Sequence, residues 1–285
     1  MICEAVQSVL EALDEQGRTD FADWEERVKA SLISLEAEYK TLLQTDRSPI
    51  SYSDLSSQAA YVYRYVYGHA EFFYDFLKSA RQKIGKPLFN DTVLTITGIG
   101  GGPGSELLGL LKYLDEGNGE PNVEKVIYTV MDKEPTWQHV AELFIENIES
   151  NIDVKLLFIP LDIASNVLPT NASLHEEDAV FMSFFISEIC KLPNQAKIKS
   201  NISHLMKSLP AGKRVFYNDS NAFSFYSYVN NNIRANGVMK EVLDIDCKYT
   251  ADFPDTDGLF SEYQEDFGYG QKLNGNAVSK VLERI

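Results

Sequence analysis

A cluster of glycines between residues 98 and 104 most constrains what this chain can fold into. The segment reads Gly98-Ile99-Gly100-Gly101-Gly102-Pro103-Gly104, and it follows the short β-branched apolar run at residues 93–97. A helical pattern at residues 105–114 begins directly after it. Glycine is needed where a chain turns with φ values closed to other residues, or where a ligand must touch the backbone. The order of strand, glycine turn and helix therefore indicates a nucleotide-binding α/β domain.

Apolar strands and helices alternate after the glycine turn. The pattern predicts strands at 126–131, 154–159, 179–184 and 214–217, with helices at 137–148 and 195–209. Strands this apolar, separated by helices, are typical of a parallel sheet covered on both faces. Extended segments at 238–250 and 278–284 flank an acidic, glycine-rich loop at 252–275, and this favours an antiparallel pair. Residues 87–285 are therefore expected to form a doubly wound, mostly parallel α/β sheet with a closing antiparallel strand.

Residues 1–86 are expected to form an N-terminal helical extension. Apolar residues recur at three- and four-residue spacing in two stretches, separated by a break at residues 17–20 where Asp20 is a candidate cap for the second helix. A third helix at 54–83 is dense in tyrosine and phenylalanine. This extension is either a cap over the ligand site or only a packing layer on the sheet.

Charge and composition limit the classes of partner. The 285 residues contain 42 Asp and Glu against 26 Lys and Arg, for a formal net charge of -16. Such a surface repels a phosphate backbone, so a nucleic-acid partner is disfavoured although not excluded. No apolar run is long enough to cross a bilayer, and no secretory signal is evident. Three cysteines without paired spacing fit a cytoplasmic or nuclear protein with reduced thiols, and no metal-ligand pattern occurs.

Two aspartates follow successive strands of the predicted sheet. Asp132 ends the second strand, where a carboxylate can accept hydrogen bonds from both hydroxyls of an adenosine ribose. Asp162 follows the third strand, where it can accept from the exocyclic amine of an adenine ring. Each residue also has a purely structural explanation, because Asp132 can cap a helix and Asp162 can form a turn.

In this order, the motifs resemble those of the class I S-adenosylmethionine-dependent methyltransferases, which are Rossmann-like enzymes. The resemblance covers about residues 93–217 and includes the Gly100–Gly104 turn, Asp132, Leu161-Asp162 and residues 178–184. It implies S-adenosylmethionine as the cofactor, with the turn at its methionine portion, Asp132 at the ribose and Asp162 at the adenine. The cofactor-binding residues implied are Gly98, Gly100, Gly102, Gly104, Asp132, Asp162, Ser183 and Phe184.

The sequence departs from this family at Gly98, where many members have an acidic residue. Thr97 and Glu106 are candidates for the missing polar contact with the cofactor. On the aromatic helix, Tyr61 and Arg64 share one face and are candidates to meet the cofactor's carboxylate. The catalytic residue is not dictated by the chemistry, and His69 and Glu188 are candidates that also have structural explanations.

The expected function is methyl transfer to a nitrogen or oxygen of a small molecule beneath the aromatic cap. One alternative is methylation of a ribosomal or transfer RNA base, since the turn and the Ser187-Glu188 pair also resemble some base methyltransferases. Another is a non-catalytic binding protein that keeps the fold. A nicotinamide dinucleotide is disfavoured. Its fingerprint is G-x-G-x-x-G/A, and when the first two glycines are Gly98 and Gly100 the last position is Pro103, which is neither glycine nor alanine.

Overall fold

The N-terminal part of the molecule is helical. The computed structural model describes residues 1–118, 120, 123–235, 237–251 and 258–285. The first elements are α1 (Ile2–Asp20), α2 (Trp24–Lys40), α3 (Leu55–Tyr61), a π-helical segment (Val62–Val66) and α4 (Tyr67–Ile84). The third helix expected at 54–83 is therefore one continuous helical rod with a π-helical segment inside it.

The break between α1 and α2 lies later than the sequence pattern suggested. Helix α1 runs through Gly17 to Asp20, so the expected cap role of Asp20 was wrong, and Asp23 occupies the N-cap position of α2. A Cβ on Gly17 would lie 2.2 Å from the ring of Trp24. Gly17 therefore serves close packing against Trp24 and does not end the helix.

The remainder of the chain alternates between strands and helices. These elements are β1 (Val93–Ile99), α5 (Ser105–Asp115), β2 (Lys125–Asp132), α6 (Trp137–Asn147), β3 (Asp153–Pro160), β4 (Ala179–Ser183), α7 (Phe185–Ile189), α8 (Gln195–Ser208), β5 (Arg214–Ser220), α9 (Phe223–Val229) with a second π-helical segment (Asn230–Arg234), β6 (Met239–Thr250), α10 (Leu259–Phe267) and β7 (Asn274–Arg284). Helix α10 lies within the stretch 252–275 that was expected to be a loop, and residues 252–257 of that stretch lie outside the described residues.

The strands form one sheet in the order β3-β2-β1-β4-β5-β7-β6. Strands β1 to β5 are parallel, and β7 runs antiparallel between β5 and β6. The prediction of a doubly wound, mostly parallel sheet with a closing antiparallel strand is confirmed. The chain winds outwards from β1 to β3 and then returns to β4 beside β1, so the strand order reverses between β1 and β4. In open α/β sheets, ligands bind outside the carboxyl ends of the strands at such a point.

Helices cover both faces of the sheet because alternate strand residues point to opposite sides. On one face, α4 and α5 pack against a buried cluster that includes Ile96 and Phe181. On the other face, residues of α1, α2 and α6 share a cluster with Met131 and Val180. The N-terminal helices therefore belong to the packing on both sides of the sheet. No helix among the described residues is long and apolar enough to span a membrane.

Candidate functional site

A cavity of about 300 Å³ opens at the carboxyl ends of β1, β2 and β4, where the strand order reverses. Several residues singled out from the sequence line it together: Tyr61, Gly100, Gly102, Asp132, Asp162, Ser183, Phe184 and Glu188. Gly98, Gly104, Arg64 and His69 are not among its lining residues. The glycine turn, the two aspartates and the end of the fourth strand thus meet at one place, although they are widely separated in the sequence.

The glycine turn is bound to the end of β2 through its backbone. The Gly100 N–H donates to the Met131 carbonyl oxygen at 2.7 Å, and the Gly102 N–H donates to Asp132 Oδ2 at 3.0 Å. Gly100 and Gly102 have φ values of 67° and 48°, which residues with a Cβ rarely adopt. A Cβ on Gly100 would also lie 2.3 Å from the ring of Phe185. The turn therefore requires glycine for its backbone conformation and for close approach.

Asp132 connects this turn to the start of the next loop. Its Oδ2 accepts from Gly102, and its Oδ1 accepts from the Glu134 N–H at 2.9 Å. Removal from bulk water raises the pKa of Asp132 to about 6, while the two N–H donors oppose that rise. Each carboxylate oxygen can still accept another hydrogen bond. Asp132 is therefore able to accept from two neighbouring hydroxyls, as the ribose of a nucleoside would present them.

Asp162 lies at the exposed edge of the cavity. Its Oδ1 accepts from the Ala164 N–H at 2.9 Å, which is the turn-forming contact anticipated for it. Its Oδ2 accepts no hydrogen bond among the described residues, so it remains available to a donor on a ligand. Leu161 and Ile163 flank it as apolar lining residues. This arrangement suits a flat base with an amine at its edge.

Gly98 is explained by packing inside the sheet. A Cβ at this position would lie 2.2 Å from the hydroxyl oxygen of Tyr128, which is completely buried in the neighbouring strand β2. Gly104, with a φ of 88°, occupies the N-cap position of α5. Arg64 lies 5.9 Å from the ring of Tyr269, and its carbonyl accepts from the Lys272 N–H. None of these three residues, Gly98, Gly104 and Arg64, lines the cavity.

Substitution of Gly98 by alanine should destabilise the fold by about 1 to 3 kcal/mol, the usual cost of overpacking a core. The double variant Gly98→Ala with Tyr128→Phe should recover part of this loss, because it removes the hydroxyl that the new methyl group would strike. Chemical denaturation of the two single variants and the double variant measures this coupling. If the double variant loses as much free energy of unfolding as the two single variants lose together, the new methyl group and the Tyr128 hydroxyl do not interact. That result would argue against the packing role of Gly98.

His69 is packed beneath Phe184 and does not reach the cavity. The two rings stack with their centroids 3.9 Å apart, and the Tyr61 hydroxyl lies 3.4 Å from His69 Nδ1. Burial lowers the pKa of His69 to about 3, so the ring stays neutral at physiological pH. Phe184 itself has a φ of 52°, an uncommon conformation for a bulky residue. The stacked imidazole supports Phe184 in this conformation at the end of β4.

Glu188 projects from the short helix α7 into the cavity. Its Oε1 accepts from the Tyr52 hydroxyl at 2.8 Å and from the Tyr39 hydroxyl at 3.4 Å. Burial raises the pKa of Glu188 to about 7. Helix α7 is held by Asp219 at the end of β5, because the Ser187 N–H donates to Asp219 Oδ2 at 2.8 Å. The buried Asp219 thus has a structural role in fixing the helix that presents Glu188.

The segment between α2 and α3 crosses the cavity as a strap, residues 47–52. The Arg47 guanidinium donates to the backbone carbonyl of Glu188, and Lys133 Nζ donates to the Ile50 carbonyl at 2.6 Å. Tyr52 contributes the hydroxyl that Glu188 accepts. Local sequence patterns do not indicate this role, because the residues that bind the strap lie far from it in the sequence.

Three aromatic rings form a wall of the cavity beside the strap. The rings of Tyr52, Tyr61 and Trp137 lie in mutual contact, with centroid distances of 5.2 to 5.4 Å. Tyr61 was expected from the sequence, but Tyr52 and Trp137 were not. One feature of the sequence could have predicted Trp137 as a wall residue. It lies in the first turn of the helix after β2, and that turn is at the carboxyl edge of the sheet.

The lining carries more negative than positive charge. Asp132, Asp162 and Glu188 are its carboxylates, and Lys133 is the one Lys or Arg among the lining residues. The Lys133 ammonium is already bound to the Ile50 carbonyl and lies 3.7 Å from the Glu134 carboxylate. A cavity with this balance attracts a cationic ligand and opposes a pyrophosphate. Within the described part of the chain, no group of three or more His, Cys, Asp or Glu residues is arranged to hold a metal ion.

The two residues suggested as substitutes for an acid at position 98 are both deeply buried. Glu106 lies in the first turn of α5, directly after the glycine turn, and is only 3% exposed. Burial raises the pKa of Glu106 to about 8. Thr97 is completely buried in β1. Neither side chain lines the cavity, so a contact from either to a cofactor stays a prediction.

No protein-family model matches the sequence, and no curated protein matches it at a significant level. Solved structures are similar in fold. The N-methyltransferase NodS from Bradyrhizobium japonicum WM9, in complex with S-adenosyl-L-homocysteine, is 12% identical, with a TM-score of 0.44 over 75% of this chain and 86% of its own. An S-adenosylmethionine-dependent methyltransferase from Clostridium acetobutylicum is 9% identical, with a TM-score of 0.46 over 75% of this chain and 91% of its own.

Proposed function

We propose that this protein transfers a methyl group from S-adenosylmethionine to a small molecule. The observation that carries the proposal is the meeting of the glycine turn and Asp132 in a cavity with more carboxylates than cations. S-adenosylmethionine presents a ribose and a sulfonium cation and has no phosphate. A nicotinamide dinucleotide brings a pyrophosphate that this lining would oppose. The charge of the cavity therefore favours the sulfonium nucleoside.

The lining residues fit such a cofactor in the order in which they lie along the sheet edge. Asp132 would accept from the ribose hydroxyls, and Asp162 Oδ2 would accept from the adenine amine. Gly102, where a Cβ would meet nothing closer than Trp137 at 3.8 Å, leaves space beside the turn for the methionine portion. When bound, S-adenosylmethionine supplies an electrophilic methyl group. The chain's own contribution is to hold the acceptor beside that group and to exclude water, which Tyr52 on the strap and Phe184 are positioned to do.

The acceptor in this proposal is a small molecule because residues of the strap and of the aromatic wall line the cavity together with the sheet edge. We propose that residues 1–86 act as the cap over a methyltransferase domain formed by residues 87–285. Nucleic acid is a weaker candidate. Of the basic residues in the stretch 191–214, Lys213 is paired with Asp178 at 2.5 Å and Arg214 with Glu283 at 3.4 Å, so these two charges are already compensated.

Isothermal titration calorimetry of the full chain with S-adenosylmethionine tests the cofactor assignment, with NAD as the matched control. We expect saturable binding of S-adenosylmethionine and no binding of NAD. Absence of S-adenosylmethionine binding by the wild-type protein would overturn the proposed function. Transfer of a radiolabelled methyl group into separated metabolite and RNA fractions then tests the acceptor class. Label that appears only in RNA would overturn the small-molecule acceptor.

A further inference from the structure

Glu188 is a carboxylate in the cavity wall that forms no ion pair among the described residues, although the charges of Lys133 and Arg47 lie near enough to lower its pKa. Its Oε1 accepts from two tyrosine hydroxyls, and its Oε2 accepts no hydrogen bond among the described residues. No Lys or Arg of the described chain forms an ion pair with it within 4.0 Å. The nearby Arg47 guanidinium instead donates to the backbone carbonyls of Ser48, Ser187 and Glu188.

An ionised carboxylate buried in such a place costs free energy unless it takes up a proton or a ligand supplies the opposite charge. The surrounding side chains suit a ligand of that kind. Tyr52, Tyr61 and Trp137 line the same part of the cavity, and an aromatic face attracts a cation. A carboxylate oxygen without a donor, next to three aromatic rings, is a recognition site for an ammonium group.

We propose that the acceptor is an amine, whose ammonium group binds Glu188 Oε2 beside the aromatic wall. This inference rests on the proposed methyl transfer and names the substrate class for it. A neutral alcohol of the same shape would leave the Glu188 charge uncompensated and would gain little from the aromatic faces. An anionic acceptor would be repelled by Glu188 and Asp132.

The same contact provides the proton transfer that an amine acceptor needs. An ammonium nitrogen has no free electron pair, so it must lose a proton before it can form a bond to carbon. The proton passes from the ammonium to Glu188 Oε2, which gives a neutral amine and a neutral carboxylic acid. The nitrogen electron pair would then form the bond to the methyl carbon while the carbon–sulfur bond of the donor breaks and sulfur keeps that electron pair, which leaves S-adenosylhomocysteine and a methylated ammonium. Burial raises the pKa of Glu188 to about 7, so the carboxylate is a better base here than in water. Glu188 is thus both the binding group and the general base.

Binding of matched amines and alcohols tests this proposal. The probes are ethylamine, benzylamine and phenethylamine, each compared with the alcohol of the same carbon skeleton, by calorimetry at pH 8 in saturating S-adenosylhomocysteine. We expect at least one amine to bind the wild-type protein about tenfold or more tightly than its alcohol, which corresponds to about 1.4 kcal/mol. Equal affinity within all three pairs, or no binding of any amine, would overturn the amine assignment.

The variant Glu188→Gln assigns the preference to this carboxylate. It keeps an oxygen that can accept from Tyr52 but removes the charge, so the amine preference should vanish. The control variant Glu142→Gln, at an exposed position of α6, should retain the preference. Persistence of the preference in Glu188→Gln would overturn the proposal. Failure of wild type to bind S-adenosylmethionine would instead refute the proposed function, which separates the two outcomes.

If Glu188→Gln does not fold, Tyr52→Phe provides a second test. This variant keeps the aromatic ring but removes the hydroxyl that donates to Oε1 at 2.8 Å and lowers the pKa of Glu188. The carboxylate then ionises at higher pH, so the amine preference should appear at higher pH than it does in wild type. An amine preference with the same pH dependence in wild type and in Tyr52→Phe would contradict direct binding by Glu188.

Discussion

Asp132→Ala should weaken the binding of S-adenosylmethionine by at least about a hundredfold. Hydrogen bonds to a charged group contribute about 1.5 to 3 kcal/mol each, and this variant would lose the two bonds that we propose to the ribose, so about 3 kcal/mol is the lower bound. The variant also removes the acceptor for the Gly102 and Glu134 N–H groups, and this loosens the glycine turn. Calorimetry with S-adenosylmethionine measures the effect.

A finer variant and a matched control separate cofactor binding from general damage. Asp132→Asn keeps one acceptor oxygen and should show an intermediate loss of affinity. Asp153→Ala, at the exposed start of the neighbouring strand β3, should bind as wild type does. Thermal unfolding of each variant checks that it is folded. Wild-type affinity in folded Asp132→Ala would refute the role of Asp132 at the ribose.

The parts of this site that were predictable from the sequence are those with a local pattern. Apolar strands and the glycines between β1 and α5 can be recognised over short windows, and the end of each strand then locates Asp132 and Asp162. Because parallel strands present their carboxyl ends at one edge of the sheet, this local information also predicts which residues meet. The fold and one half of the cavity follow from these patterns.

The other half of the cavity depends on contacts between distant parts of the chain. Tyr52 lies in a segment without regular structure, and only its bond to Glu188, 136 residues later, gives it a place in the site. His69 has a side chain suited to catalysis, but its stacking on Phe184 removes it from the cavity. Periodicity carries no information about either contact.

Gly98 shows the same limit within the most informative motif. The family resemblance implied that it contacts the cofactor, yet the closest atom to a Cβ there is the Tyr128 hydroxyl on the adjacent strand. The π-helical segment Val62–Val66 changes the helical spacing just after Tyr61. A 3.6-residue period places either Arg64 or Tyr65 on the face of Tyr61, and the observed ring contacts run from Tyr61 to Tyr65 and from Tyr65 to His69. The period alone does not choose between these two residues.

Glu106 should make the protein less stable as pH rises, because it is protonated in the folded state over a wider range than in the unfolded chain. Burial raises its pKa from an ordinary value of 4.5 to about 8. The folded state therefore binds more protons than the unfolded state between these values, and the free energy of unfolding falls as pH rises through that window. The contribution of Glu106 is fully present below about pH 4 and is lost above about pH 8.

Glu106→Gln should remove this pH dependence, because glutamine resembles the protonated carboxylic acid in size and charge. Relative to wild type, the variant should gain on the order of 3 kcal/mol in free energy of unfolding between pH 5 and pH 8. Burial also raises the pKa values of Asp132, Glu188 and Asp219. The free energy of unfolding of Glu106→Gln should therefore still fall as pH rises, but less steeply than that of wild type. Urea denaturation across this pH range, with the exposed Glu26→Gln variant as control, measures the difference. Parallel stability curves for wild type and Glu106→Gln would mean that Glu106 is charged in the folded protein, and the deep burial of this carboxylate beneath the glycine turn would then need a cationic partner.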